Sequence, residues 1–280
     1  MSCRIGVALA VLFLGSTAAL ADDERTVERS VDLTSGGRLR IETYKGSIRL
    51  SAWDQDKVQV VARVEPGDDV DPDYAEDSVE ATRVEIRGDG DSVRIESDYS
   101  EVPCKRSWAL LSFGCSKTLP YVHYEIRAPR RLTLRIKDHK SDIRMTGLEG
   151  DLNVDTYKGD VEGDDLSGEL DIETYKGTVH LKDVSGRLKI ETYKGDVSAD
   201  VKELTGRSSA ETYKGKLALS FSDAQGLSLL AHLGRRADFH SDFDLGRERQ
   251  GRRSLEGEIN GGGPRLSIES HKGDIRIYRR

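Results

Sequence analysis

Residues 190–199 of this chain read Ile-Glu-Thr-Tyr-Lys-Gly-Asp-Val-Ser-Ala, and copies of this phrase recur along the sequence. Close copies occupy residues 41–50, 154–163, 172–181, 210–219 and 268–277, and a weaker one lies at 136–143. With the Tyr or His of each copy as a marker, positions 139, 157, 175 and 193 are 18 residues apart, and position 213 follows after 20. A fixed period of this length is typical of a solenoid, in which each repeat stacks on the next. We therefore predict an all-β fold, a parallel β-solenoid with rungs of 18–20 residues.

Alternation of apolar and charged residues within one repeat predicts a strand, a turn and a second strand. Leu170 and Ile172 alternate with charged residues, and Val179 and Leu181 continue the alternation after the turn. Successive side chains of a strand point to opposite faces, so we expect these four residues to be buried. Gly177 in the turn is expected to supply a backbone conformation that a side chain would resist. The next repeat has the same parity, and its buried residues should stack on those of the first: Leu188, Ile190, Val197 and Ala199.

The same parity turns the Tyr and Lys of each phrase outward and its Thr inward. The repeated rungs should therefore carry an aromatic stripe edged by cations, formed by Tyr157, Tyr175, Tyr193, Tyr213, Lys158, Lys176, Lys194 and Lys214. Lysines about 4.8 Å apart on stacked rungs repel one another. We expect a parallel column of Glu173, Glu191 and Glu211 to compensate this repulsion.

Residues 1–21 have the features of a secretory signal peptide. Arg4 precedes an apolar core at 5–15, and a small-x-small cleavage site lies at 19–21. No later apolar run is long enough to anchor the chain, so we expect no transmembrane segment after cleavage. We predict an exported protein, periplasmic or secreted, whose residues 22–280 form a single solenoid domain. Its formal charge of −7 argues against a nucleic-acid partner.

An irregular insertion is expected at about residues 65–120, beginning with an acidic loop and a short helix from Pro72. A turn at residues 88–91 between two β-like runs predicts a hairpin. We predict a disulfide between Cys104 and Cys115, because two cysteines in an exported protein usually pair. The loop between them carries an apolar cluster, and it is either packed on the solenoid or exposed as a contact patch. The cluster comprises Trp108, Leu110, Leu111 and Phe113.

We expect the main stack to begin at Tyr121 and to pass through the weak repeat at His139, where Ser141 replaces the turn glycine. Residues 226–263 lose the phrase but keep strand parity, and residues 266–278 are expected to form the final rung. Arg279 and Arg280 would then help to cap its exposed edge. Four outward polar residues suggest a metal site, but we interpret them as the solvated face of a strand and expect no metal. They are Asp238, His240, Asp242 and Asp244.

The chain resembles the bacterial "putative adhesin" family of exported β-solenoid proteins, a family of unknown function. The resemblance covers almost all of the chain after residue 21, and it starts with residues 37–50 followed by Trp53-Asp54. It continues through the Gly-Asp-Val rungs, as at Gly159 and Gly195, and ends with the Gly-Gly-Gly-Pro loop and the final rung. The Tyr-Lys pair before the turn glycine departs from the Ser-Asn or Val-Asn of that family. The resemblance implies the fold and export, and it supplies no catalytic residues.

These observations favour a non-catalytic, adhesin-like solenoid that binds or scaffolds an envelope or extracellular polymer or protein through its repeated surface. The alternative is a polysaccharide-acting β-helix enzyme, since other parallel β-helices cleave sugars with acidic, Lys, Tyr or Arg groups. A catalytic site needs a unique constellation of side chains, and a feature copied in every rung is not one. We accordingly expect no catalytic residues and no cofactor. The tyrosine stripe remains either a binding surface or a structural device.

Overall fold

The computed structural model describes residues 24–106, 115–251 and 253–280, and the fold is all-β with one short helix. The helix α1 spans Pro72–Ala81. The strands, in chain order, are β1 Arg25–Glu42, β2 Lys45–Trp53, β3 Lys57–Glu65, β4 Arg83–Gly88, β5 Gly90–Asp98, β6 Lys105–Arg106, β7 Cys115–Ser116, β8 Tyr121–Pro129, β9 Arg131–Asp138, β10 Lys140–Thr146, β11 Glu149–Lys158, β12 Val161–Asp164, β13 Ser167–Lys176, β14 Val179–Lys194, β15 Val197–Leu204, β16 Ser208–Lys214, β17 Leu217–Phe221, β18 Leu227–Leu233, β19 Phe239–Ser241, β20 Gly246–Gln250, β21 Ser254–Ile259, β22 Arg265–Ser270 and β23 Ile275–Arg279.

The repeated strands pair in parallel with the strands one repeat further along the chain. Ile172 lies opposite Ile190, and Val179 lies opposite Val197. The residues predicted to be buried are all at most 4% exposed: Leu170, Ile172, Val179, Leu181, Leu188, Ile190, Val197 and Ala199. Tyr175 and Tyr193, by contrast, are exposed. The predicted parity and register are therefore confirmed, because a slip of one residue would have exchanged the two faces.

The turn glycines allow neighbouring rungs to approach closely. A Cβ atom added to Gly177 would lie 1.9 Å from the carbonyl oxygen of Gly159 one rung below. The backbone of Gly177 does not lie in the left-handed region, so conformational freedom is not the reason for glycine there. The prediction of a strained turn conformation at this position is wrong. The turn needs glycine because any side chain would push the stacked turns apart.

Threonine and aspartate of the phrase tie the turn of the 210–219 copy to the turn of the neighbouring rung. Buried Thr212 donates a hydrogen bond from Oγ1 to the carbonyl oxygen of Gly195, at 3.2 Å. The carboxylate of Asp196 accepts a hydrogen bond from the backbone N–H of Lys216, at 2.8 Å. Buried polar groups are tolerated when they are hydrogen-bonded, so Thr212 is compatible with the apolar core, whereas the buried hydroxyl group of Thr174 has no hydrogen-bond partner among the described residues.

The N-terminal copy of the phrase enters the stack beside the weak repeat. β1 and β2 pair in parallel with β9 and β10, which places Ile41 opposite Ile136 and Ile48 opposite Ile143. On their other side lie β5 and β8, with Tyr124 opposite Ile48. The prediction that the main stack begins at Tyr121 is therefore wrong. The first copy presents the same apolar rows as the other rungs and lies inside the stack, between β8 and the weak repeat.

The insertion has the helix and hairpin that its sequence predicts. Asp71 caps α1 by accepting a hydrogen bond from the backbone N–H of Tyr74 at 3.0 Å, and Pro72 stands in the first turn. β4 and β5 pair antiparallel through the predicted turn, with Ile86 opposite Ile95. Both local predictions are confirmed.

The C-terminal strands do not end the stack. β22 and β23 pair directly with β16 and β17, and β18 and β19 lie on their outer side. β18 also pairs antiparallel with β21, which pairs antiparallel with β20. The prediction that residues 266–278 form the terminal rung is therefore wrong. Arg279 and Arg280 form ion pairs with Asp223 and Asp200, at 3.2 and 3.4 Å, and do not cap a free edge.

Some predictions fall outside the described residues. These are the signal peptide at residues 1–21 and the apolar cluster of Trp108, Leu110, Leu111 and Phe113. β6 and β7 pair antiparallel with Arg106 opposite Cys115, and the Cys104–Cys115 disulfide stays a prediction. In the described part of the chain, no helix has the length and apolar character needed to cross a membrane.

Candidate functional site

The outward tyrosines form one continuous stack of parallel rings. Consecutive rings of Tyr157, Tyr175, Tyr193 and Tyr213 have centroids 4.8–4.9 Å apart and planes within 4° of parallel. The first three are 37–39% exposed, and Tyr213 is half-buried. Each ring face is covered by the next ring, so the edges and hydroxyl groups are what solvent reaches. Stacking of this kind adds about 0.5–1.5 kcal/mol per pair to area burial.

The stack is longer than the sequence predicts at both ends. Tyr44 stacks on His139 at 4.5 Å, and His139 stacks on Tyr157 at 4.9 Å. At the other end His271 follows Tyr213 at 5.2 Å, with its ring tilted by 46°. We call the whole set the tyrosine column: Tyr44, His139, Tyr157, Tyr175, Tyr193, Tyr213 and His271. Burial lowers the pKa of His139, and nearby Lys140 and Lys158 lower it further.

Three of the predicted lysines lie close to the tyrosine rings, on one flank of the column. The Nζ atoms of Lys158, Lys176 and Lys194 are 5.4–5.6 Å from the ring centroids of the tyrosines that precede them. Over Tyr213 the cation is Lys272, at 5.2 Å. Cation–π contacts at exposed sites contribute about 0.5–1 kcal/mol each. Three of the four predicted lysines thus lie beside their own tyrosine rings, while Lys272 occupies the place that sequence order suggests for Lys214.

An acidic column flanks the tyrosine column on its other side. We define the acidic column as Asp155, Glu173, Glu191, Glu211 and Glu269, which occupy equivalent positions on successive rungs. A groove of about 480 Å³ runs between the two columns. Its lining includes four acidic residues, four tyrosines and, at its ends, Asp138 and His271. The groove crosses several rungs, so a ligand lying in it would meet the same side chains repeatedly.

A lysine beside the acidic column offsets part of its charge. Lys189 Nζ lies 2.7 Å from a carboxylate oxygen of Glu173 and 3.3 Å from carboxylate oxygens of Asp171 and Glu191. These carboxylates raise the pKa of Lys189, the hydrogen bond with Glu173 being the largest cause. The predicted compensation between the Glu column and the phrase lysines is therefore wrong. The tyrosine column separates the two, and Lys189 supplies the opposing charge.

Asp138 is the irregular member of the groove lining. It stands where neighbouring rungs have Thr, and burial raises the pKa of its carboxyl group. Its oxygens accept hydrogen bonds from the backbone N–H and Oγ of Ser141, at 2.7 and 2.6 Å, and from Thr156 Oγ1 at 2.8 Å. The predicted local difference at Ser141 is confirmed. Asp138 replaces the usual Thr because Ser141 adds a buried hydroxyl group that needs an acceptor.

The four outward polar residues at 238–244 are not brought together as a metal site in the described part of the chain. His240 Nε2 lies 3.4 Å from Asp242 Oδ1, and no third donor converges on that pair. Asp238 instead donates its backbone N–H to Asp274, at 3.4 Å.

A family profile places the chain among known proteins. The profile of the Toastrack DUF4097 family matches residues 129–278, which contain the column from His139 to His271. The chain belongs to the Toastrack DUF4097 family. This match confirms the family resemblance drawn from the phrase and its closing rung. Among the curated proteins, none matches the chain.

Several solved structures are similar to this chain over nearly its whole length. One is titled a putative adhesin from Bacteroides fragilis, with 12% identity, a TM-score of 0.44, and coverage of 91% of this chain and 97% of that chain. Another putative adhesin, from Parabacteroides distasonis, has 9% identity, a TM-score of 0.43 and coverage of 92% and 98%. A third, from the same species, is titled a putative lipid binding protein, with 10% identity, a TM-score of 0.30 and coverage of 90% and 97%.

Proposed function

We propose that this chain is a non-catalytic, exported, adhesin-like parallel β-solenoid that holds a linear acidic polysaccharide of the cell envelope or its surroundings along the tyrosine column. The observation that carries the proposal is the groove between the tyrosine and acidic columns, which presents the same groups on successive rungs. The solenoid description is supported by the parallel pairing of equivalent residues on those rungs. Export is supported by the signal-peptide features of residues 1–21.

A repeating ligand suits this surface because the surface itself repeats. Ring centroids recur every 4.8–4.9 Å from Tyr157 to Tyr213, with carboxylates on one flank and ammonium groups on the other. A compact ligand would use one rung, and a linear chain can use all of them. Weak contacts repeated along one chain add up in the manner of multivalent binding.

The chemistry of the groove favours a saccharide bound by hydrogen bonds and charge. The tyrosine faces are covered by neighbouring rings, so they are not available to stack on sugar rings. The exposed hydroxyl groups and carboxylates can instead hydrogen-bond sugar hydroxyl groups. The lysines on the far flank can pair with the acidic groups of the polymer. An acidic polysaccharide would therefore lie with its sugar hydroxyl groups towards the carboxylates of the groove and its acidic groups towards the lysines.

The experiment compares two variants for retention on alginate, an acidic polysaccharide, with neutral dextran as a second probe. Tyr175→Ser with Tyr193→Ser breaks the middle of the column, and Tyr278→Ser removes a half-buried tyrosine outside it. The parent and Tyr278→Ser should be retained on alginate, whereas the folded double variant should not. Equal retention of the folded double variant and the parent would make the column structural. A parent that binds neither alginate nor isolated envelope fractions would refute the proposal.

A second candidate is a polysaccharide-acting β-helix enzyme, and one observation favours it. The carboxyl group of Asp138 lines the groove with a raised pKa, as a general acid would. Against this, three hydrogen bonds from Ser141 and Thr156 already occupy its oxygens. Incubating alginate with the protein and measuring new reducing ends separates the two functions. New ends that disappear in Asp138→Thr with Ser141→Gly would favour the enzyme.

A further inference from the structure

Three side chains from two stacked rungs converge at the C-terminal end of the tyrosine column. Glu211 is on β16, Glu269 is on β22, and His271 follows β22 directly. One donor atom from each lies within 4.8 Å of the other two, and His271 Nε2 is 3.2 Å from Glu269 Oε1. Within the described ranges, no other group of three His, Cys, Asp or Glu side chains converges in this way. The group is not evident from the sequence, because Glu211 and its partner Glu269 are 58 positions apart.

The ring of His271 departs from the order of the rest of the column. Its plane is tilted by 46° from that of Tyr213, whereas consecutive tyrosines are within 4° of parallel. The weak-repeat His139 stacks at 7° on Tyr157, so an imidazole can take the parallel orientation. His271 is instead turned out of the stack, with Nε2 directed to the carboxylate of Glu269.

The repeat provides an internal comparison for the charge at this position. Lower in the stack, Lys189 lies between the carboxylates of Glu173 and Glu191. The residues equivalent to Lys189 on the two upper rungs are Ser209 and Ser267, which carry no charge. Burial raises the pKa of Glu211, and so do the neighbouring carboxylates of Glu269 and Glu191. The pair Glu211 and Glu269 therefore lacks the lysine that lies between Glu173 and Glu191.

The donor set indicates which cation fits. One imidazole and two carboxylates are ligands of the kind that hold Zn²⁺ in sites with three protein ligands and an open fourth position. Ca²⁺ needs six to eight oxygen ligands, and three side chains cannot supply them. Glu211 and His271 are exposed and Glu269 is partly exposed, so small rotations can bring their donor atoms to coordination distance. We propose that Glu211, Glu269 and His271 form a site for one divalent transition-metal ion of the Zn²⁺ class.

Glu211 and His271 also line the end of the groove. The proposal of a metal site nevertheless does not depend on the proposed polysaccharide binding, because zinc binding can be measured without any polymer. Zinc chloride is the probe, titrated calorimetrically into the purified protein without any polymer. The test variants are His271→Gln and Glu211→Gln, which remove a ligand at similar size. The matched control is His240→Gln, because His240 is also exposed and also lies beside a carboxylate, that of Asp242.

We expect the parent to bind one equivalent of zinc and calcium to give no saturable binding. The two ligand variants should bind zinc at least about tenfold more weakly, since even loss of a residue that supports a ligand costs about 10–100-fold. His240→Gln should keep the Kd of the parent. Because all these variants retain the cysteines, a difference between His271→Gln and His240→Gln cannot come from thiol ligands.

A melting-temperature measurement distinguishes loss of the site from loss of the fold. Without metal, Glu211→Gln should melt no lower than the parent, because it removes a carboxylate from a like-charged group. With zinc, the melting temperature of the parent should rise, and that of Glu211→Gln should not. The proposal is overturned if the parent takes up no zinc at millimolar concentration. It is equally overturned if His271→Gln binds zinc as tightly as His240→Gln does.

Discussion

Replacing Gly195 with alanine tests how the rungs are held together. The added Cβ would lie 1.9 Å from the carbonyl oxygen of Gly177. Cβ atoms essentially never approach another heavy atom closer than 3.0 Å, and ordinary contacts lie at 3.4–4 Å, so the two turns must separate by roughly 1.1–1.5 Å. The hydrogen bond from the N–H of Gly177 to the carbonyl of Lys194, now 3.2 Å, joins the same turns and would be broken.

The expected cost of Gly195→Ala combines these two effects. Overpacking of a tight contact costs about 1–3 kcal/mol. A broken backbone hydrogen bond adds about 0.5–1.5 kcal/mol. We expect the free energy of unfolding to fall by about 2–4 kcal/mol, measured by urea denaturation at 25 °C.

The matched control is Gly206→Ala, in which the nearest heavy atom to the added Cβ is 3.8 Å away. Its backbone is outside the left-handed region, so alanine is compatible with it. This variant should be neutral or more stable by about 0.4–1 kcal/mol, because alanine restricts the unfolded chain. If Gly195→Ala and Gly206→Ala have the same stability, the close approach of the turns is not what requires glycine.

Two sets of substitutions test other contacts of the stack, and one measurement tests the predicted disulfide. Lys189→Ser copies the residue of the upper rungs and should cost about 1–2 kcal/mol at low salt, less in high salt, since three exposed ion pairs are lost. Because the folded pKa of Lys189 is raised, its contribution should be complete below pH about 10.4 and disappear as the pH rises through the folded pKa. Asp138→Thr should cost about 1–3 kcal/mol by leaving the buried Ser141 without its acceptor, and adding Ser141→Gly should recover most of that loss. The folded pKa of Asp138 is raised, so the parent should gain stability over this double variant as the pH falls through that pKa, and denaturation at pH 3–7 measures the gain. Mass spectrometry of the unreduced exported protein should find Cys104 joined to Cys115, and two free thiols would contradict the disulfide.

The face of each strand could be predicted from the sequence, but the order of the rungs could not. Ile172, Ile190 and Thr192 are buried as the two-residue alternation requires, because side-chain direction is a local property of a strand. Which rung lies beside which depends on pairing between distant segments. Tyr44 therefore lies next to His139, and β22 lies between β16 and β18, although the chain order suggests neither arrangement.

The candidate site, like the fold, could be predicted from the sequence only in part. The outward tyrosines follow from parity, and their spacing follows from the stacking of strands. Their parallel orientation covers the ring faces, and this depends on rotamers that the pattern does not specify. The group of Glu211, Glu269 and His271 could be found only by aligning the copy at residues 268–277 with the copy at residues 210–219. That alignment would also have shown uncharged Ser209 and Ser267 at the positions equivalent to Lys189.

The most direct test of the proposed function is the affinity of the protein for alginate fragments of graded length. From His139 to His271 the column makes five steps of 4.8–5.2 Å, so longer fragments should reach more rungs. We expect the affinity of the parent to rise with fragment length until the groove is filled, and then to level off. In folded Tyr175→Ser with Tyr193→Ser, the rise should stop at short fragments. An affinity that does not depend on length, or that is equal in the parent and the double variant, would contradict binding along the column.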